Sequence, residues 1–117
     1  MVGRKDASTA SLPSAWTFTD EWYNLIPAPS KVRVLAEVDE STLTEGVAGN
    51  HHHPGHGKDH PVAWRQYYDG GRAWLTTLGH DARAFSTDGS YAGAAEFQRL
   101  ILGGIESAMG KRPFCRE

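Results

Sequence analysis

The segment Pro61–Leu78 constrains the fold more than any other part of the chain. Val62, Trp64 and Tyr68 alternate with Ala63, Arg65 and Tyr67, Asp69-Gly70-Gly71 interrupts, and Arg72–Leu78 follows. Glycine supplies the positive φ that a tight turn between antiparallel strands requires, so residues 61–78 are expected to form a β-hairpin. A further strand is expected over Lys31–Val38, where Val32, Val34, Ala36 and Val38 share one face and Arg33, Leu35 and Glu37 share the other. That mixed second face fits a strand near a sheet edge or under partial cover. The C-terminal segment has a different period. Phe97, Leu100, Ile101, Gly104, Ile105, Ala108 and Met109 recur at the spacing of one helical stripe. Asp88-Gly89-Ser90 is expected to cap the start of this helix, Gly110 to end it and Pro113 to prevent its resumption. Gly104 on the stripe implies a close approach of backbone to a neighbouring strand.

Residues 1–15 are small, polar and aperiodic, and read as a flexible surface arm, with 111–117 as a tail. Strand, hairpin and helix make an α/β layout with an antiparallel element. One helix covers one sheet face, whereas the many aromatic residues ask for cover on both, so the sheet reads as incomplete. The length, 117 residues, suits one domain or part of one. Twelve basic against 14 acidic residues leave a net charge of −2, without the Lys/Arg excess of a nucleic-acid-binding surface. No apolar run has the length of a membrane span, and no apolar leader occupies the first twenty residues. Cys115 is the only cysteine, so it forms no internal disulfide, and no oriented base is assignable to it as a catalytic thiol.

Several residues carry candidate chemistry. Asp20 and Glu21 are adjacent, so on extended backbone they point to opposite sides and only one faces a given pocket. Beside Trp22 and Tyr23, either reads as a general acid or base, or as a turn acid bonded to backbone. His80, after Gly79 and near a strand end, reads as a pocket imidazole or as a loop cap. His60 precedes Pro61 and is biased to extended backbone; it reads as a hydrogen-bonding group toward a ligand hydroxyl, as a partner stacked on Trp64, or as a strand-entry residue with a structural hydrogen bond. Trp22, Trp64 and Trp74 offer flat apolar faces to a ligand, although tryptophans in strands more often build the core. The run His51–His60 holds five of the six histidines. Imidazole is a common zinc or nickel ligand, but the spacing fits no rigid site and no cysteine is near, so no metal cofactor is expected.

Five segments in order resemble the ThuA-like, trehalose-utilisation domains. They are Trp16-Thr17-x-Thr19-Asp20-Glu21-Trp22-Tyr23-Asn24; Val34-Leu35-Ala36 leading into Asp39-Glu40-Ser41; His60-Pro61-Val62-Ala63-Trp64; Gly70-Gly71-Arg72-Ala73-Trp74-x-Thr76-x-Leu78-Gly79-His80; and Phe97 with Leu102-Gly103-Gly104-Ile105. Ser107 stands where the closing helix of such domains usually carries Trp, and His51–His56 has no counterpart. The resemblance implies a flavodoxin-like fold of the class I glutamine amidotransferase-like type, of which residues 16–110 would be the C-terminal half. It implies a carbohydrate-utilisation protein acting on a glycoside or oxidised sugar by hydrolysis or isomerisation, rather than a glutaminase. The site would comprise Glu21 or Asp20 as acid or base, His80 as proton carrier, and Trp22, Tyr23, His60 and Trp64 toward substrate. The expected partner is a small-molecule sugar, without nucleic acid, membrane or cofactor, and with a second copy or an N-terminal half-domain completing the sheet. A non-catalytic sugar-binding or interaction module, or a truncated remnant without activity of its own, is the alternative.

Overall fold

The computed structural model describes residues 1–3, 5–43 and 55–114. Four strands form one antiparallel sheet in the order β1-β2-β3-β4: β1 (Val2–Gly3), β2 (Arg33–Glu37), β3 (Pro61–Tyr68) and β4 (Gly71–Thr76). The helix α1 (Ala94–Ala108) packs against β4, and single 3₁₀ turns lie at Ala7–Thr9, Glu40–Thr42 and Ala82–Phe85. Among the described residues no helix is long and apolar enough to cross a membrane.

The hairpin forms as its residues dictate. Asp69 (φ 47°) and Gly70 (φ 77°) both take positive φ, the type I′ geometry that matches strand twist. Pairing is unbroken from Ala63↔Thr76 to Tyr68↔Gly71, and the return strand ends at Thr76, two residues before the expected Leu78. β3 is buried from Pro61 through Arg65 because it has a neighbour on each side.

β2 departs from simple alternation. Leu35 and Ala36 are adjacent and both fully buried. The register explains this, since Val34 faces Trp64 while Ala36 faces Ala63, so Leu35 is an extra residue on β2. The next step, Glu37 opposite Pro61, places a compensating extra residue, Val62, on β3. Two bulges thus turn neighbouring apolar side chains inward and bend the pair.

The buried face of α1 also differs from the expected stripe. Ala94, Phe97, Leu100, Gly103, Gly104 and Ser107 face inward, whereas Ile105, Ala108 and Met109 are exposed. Small residues decide the orientation. A Cβ on Gly103 would lie 1.9 Å from the Ser8 carbonyl oxygen, and one on Gly104 would lie 2.5 Å from the Trp74 ring. The close approach expected at Gly104 is therefore made by an indole on β4, and Gly103 adds a second one to backbone. Gly93 holds the N-cap, while Asp88 instead accepts from Ser90 N–H (2.8 Å) within the preceding turn. The C-terminus ends at Gly110 as expected: Gly110 N–H bonds to the Ser107 carbonyl and Lys111 N–H to the Glu106 carbonyl, a Schellman closure.

Within residues 1–15, β1 pairs with β2 and the 3₁₀ turn at Ala7–Thr9 lies on α1 with Ser8 and Thr9 buried. Asp6 accepts from Arg65 Nε (2.9 Å) and Ser8 N–H (3.0 Å), with Arg33 Nε at 3.3 Å. Burial pushes this carboxyl up, but the bonds from Ser8 and Arg65 outweigh burial and hold it below its usual range. The Trp74 indole N–H donates to Ser8 Oγ (3.3 Å), fastening the same turn to β4.

Candidate functional site

An aromatic floor carries the loop that follows β4. Phe97 of α1 stacks on Phe18 (centroids 5.4 Å apart, planes at 16°) and meets Phe85 edge-on at 5.2 Å. Gly79 (φ 105°) lies against that ring, where a Cβ would come within 2.9 Å of Phe97 Cζ. Only glycine combines this φ with that contact. The backbone turns sharply there and brings His80 to the surface. Asp20 then fixes the turn: its carboxylate accepts from Gly79 N–H (2.6 Å), His80 N–H (3.2 Å) and Glu21 N–H (2.9 Å).

The two adjacent carboxylates part as extended backbone requires. Asp20 holds main chain, while Glu21 reaches the side chain of His80. Glu21 Oε1 lies 3.3 Å from His80 Nε2, the Tyr23 hydroxyl donates to Glu21 Oε2 (3.0 Å), and that hydroxyl lies 3.3 Å from His80 Nδ1. Each of the three groups touches the other two. The hydrogen bond to Glu21, with smaller contributions from burial and from the nearby carboxylates, raises the Tyr23 phenol above its ordinary value, so it serves as a neutral hydroxyl. When its hydrogen points to Glu21, its oxygen accepts from Nδ1–H; when Nδ1 loses that proton, the hydroxyl is free to turn to the ring. The arrangement can pass a proton between ring and carboxylate. Glu21 and His80 side chains are 57% and 54% exposed, open to a ligand from solvent.

Residues 1–108 match the family model described as trehalose utilisation, ThuA. The chain belongs to the ThuA family. No curated protein and no solved structure matches it.

In this ThuA chain a second histidine–carboxylate pair lies behind the exposed cluster. His60 is 2% exposed, and its Nδ1 lies 2.6 Å from Glu40 Oε1. Glu40 also accepts from His56 N–H (Oε1, 2.6 Å) and Gly57 N–H (Oε2, 3.0 Å). Burial pushes the Glu40 carboxyl up; the bonds from His56, His60 and Gly57 together outweigh it and hold the group below its ordinary value. The other ring nitrogen of His60, Nε2, lies 3.1 Å from the Tyr23 carbonyl oxygen. Two residues on, Leu25 N–H donates to His56 Nε2 (3.0 Å), and the His56 and His60 rings meet edge to face at 5.0 Å.

The other residues singled out from the sequence take distinct places. Trp64 is buried (8% exposed) in β3 and offers no open face. Trp22 is half-buried against the core, and Trp74 packs on Gly104. His60 takes the structural hydrogen bonds of its strand-entry reading and lies away from solvent. Of the histidine-rich run, His51–His53 lie outside the described residues, as does Cys115. Sequence reasoning missed Glu40 and His56. The register held a signal for Glu40: Glu37 pairs with Pro61, so residues just beyond each meet at the same end of the sheet. A separate groove of about 700 Å³ lies over β2, lined by Lys5, Pro29, Val32, Arg33, Glu37 and Asp59 among others, and the Glu21–Tyr23–His80 cluster is not part of its wall.

Proposed function

We propose that this ThuA chain acts in carbohydrate utilisation through the Glu21–Tyr23–His80 cluster, on an oxidised sugar or glycoside. The observation that carries the reading is the closed contact among a carboxylate, a phenol and an imidazole, clamped by Asp20 on an exposed face. Ordinary glycoside hydrolysis uses two carboxyl groups on opposite sides of the scissile bond, roughly 5–9.5 Å apart. Here both oxygens of Asp20 are bonded to backbone N–H groups, and Glu21 and His80 touch each other. That favours one acid–base unit working at one carbon. On a keto sugar, Glu21 removes a proton from the carbon beside the carbonyl, the C–H electrons form a C=C bond, and His80 or Tyr23 gives a proton to the carbonyl oxygen. The hydroxyl on the carbon that lost its proton then gives its O–H proton to His80 or Tyr23 and becomes the new carbonyl, while Glu21 returns a proton to the former carbonyl carbon; the carbonyl has moved by one carbon and the isomerisation is complete. On the same footing we read the antiparallel sheet as part of the flavodoxin-like architecture that the family resemblance implies, and a sugar as the chain's small-molecule partner.

The openness of the cluster favours one further reading, a site that binds sugar without turning it over. The test uses trehalose and trehalose oxidised to a ketone at one ring hydroxyl, each incubated with the chain in D₂O and followed by NMR. Solvent deuterium entering the oxidised sugar, abolished in His80→Ala at unchanged melting temperature, supports catalysis. Heat of binding without deuterium uptake supports the binding module. Neither signal with either sugar overturns the assignment of the site.

A further inference from the structure

We infer that Glu40 and His60 are positioning residues, a partly exposed carboxylate and a buried imidazole that together set the place of Tyr23 against His80. That Tyr23 and His80 work on a sugar rests on the proposed function above; the contacts that hold Tyr23 do not. The segment from Tyr23 to Leu25 carries the phenol of the exposed cluster, and two imidazoles grip its backbone. His60 Nε2 meets the Tyr23 carbonyl at 3.1 Å, and His56 Nε2 accepts from Leu25 N–H at 3.0 Å. Glu40 ties the two grips together, facing His60 Nδ1 at 2.6 Å and the backbone N–H groups of His56 and Gly57. Both ring nitrogens of His60 face acceptors, so the contacts to Glu40 and to Tyr23 are satisfied together only when each nitrogen carries hydrogen. A buried polar group with every partner in place resists displacement, because losing one partner leaves the rest unsatisfied in low dielectric. The groups facing the pair are the His56 ring and N–H, the Gly57 N–H and the Tyr23 carbonyl; those facing His80 are Glu21, Tyr23 and, through its backbone N–H, Asp20.

The pair touches no side chain of the exposed cluster, only the Tyr23 main chain, so its influence passes through Tyr23. Glu40→Gln removes the carboxylate and keeps the volume. The readout is the ring ¹⁵N resonances of His80 at one pH, compared with those of Tyr23→Phe. A positioning role predicts that Glu40→Gln moves the His80 ring signals in the same direction as Tyr23→Phe, and that the double variant moves them no further than Tyr23→Phe alone. It also predicts at least a tenfold loss of exchange protection at the Leu25 amide, with the Phe97 amide in α1 unchanged. His80 signals that stay at wild-type positions while Glu40→Gln melts lower mean a purely structural pair and overturn the inference. Should Glu40→Gln fail to fold, the wild-type chain still decides: a coupling across the hydrogen bond from His60 Nε2–H to the Tyr23 carbonyl carbon, with a protected Leu25 amide, supports the grip, and absence of both overturns it. No sugar enters these measurements. Coupled His80 shifts in a chain that neither binds nor converts sugar leave the positioning intact and sink the functional reading alone.

Discussion

Two histidine–carboxylate pairs stand within one small ThuA chain, and they differ in almost everything except composition. Glu40 and His60 are 2.6 Å apart, the ring 2% exposed, with both Glu40 oxygens and the second ring nitrogen of His60 facing further partners. Glu21 and His80 are 3.3 Å apart, each more than half exposed, and linked by a third side chain that can rotate its hydrogen. Burial of the His60 ring, with its partners in place, makes the first pair costly to break and therefore rigid. Solvent makes the second nearly free to break and therefore able to exchange partners and protons. The same two residue types thus hold in one place and act in the other, and burial decides which.

The comparison is broken or sharpened by variants of each pair. The largest effect is expected from His60→Ala, which leaves the Glu40 carboxylate short of a partner at the sheet end; urea denaturation should show a loss of about 3 kcal/mol. Asp20→Ala comes next, at about 2 kcal/mol, because three backbone N–H groups around the Gly79 turn lose their acceptor. It should abolish any sugar response as well, since His80 stands on that turn. A third effect follows from pH. Glu40 and Asp6 have lowered carboxyl values, so each contributes stability that is fully present above its unfolded value, 4.5 and 3.8 respectively, and is lost as pH falls through its folded value. Melting curves should therefore move to lower temperature on acidification below about pH 4.5, and His60→Ala should flatten the Glu40 part of that slope. Ser107 tests the rule that buried polar groups need partners. Its Oγ is buried and has none among the described residues, so Ser107→Ala should gain about 1 kcal/mol by thermal denaturation. The smallest effect belongs to the exposed pair: Glu21→Gln should stay within about 0.5 kcal/mol of wild type in the same assay. A loss there as large as that of His60→Ala would erase the distinction between the two pairs.

What the sequence makes legible follows from how local each signal is. The Asp69-Gly70 turn, the helix stop at Gly110 and the sharp bend at Gly79 are set by φ values that few residues adopt, so they can be read from one or two letters. The face of α1 is set by what fits against it. Gly103 and Ser107 turn inward because Ser8 and the neighbouring turn press close, and no apolar periodicity records that. Leu35 and Ala36 share the core through a bulge, which strict alternation does not reveal. At the site, Glu21 and His80 could be picked out as titratable groups beside aromatics and glycine. Their contact through Tyr23 depends on bringing together residues 57 positions apart. Glu40 finds its partner 20 residues further along the chain, a contact that no local pattern of letters records.

The most direct test of the division between the pairs takes both properties from one preparation of His80→Ala: its thermal unfolding, and its exchange of solvent deuterium into oxidised trehalose beside the wild-type chain. A melting temperature close to wild type with deuterium uptake lost is the predicted result. Uptake that persists in His80→Ala, or a melting temperature that falls as far as that of His60→Ala, contradicts it.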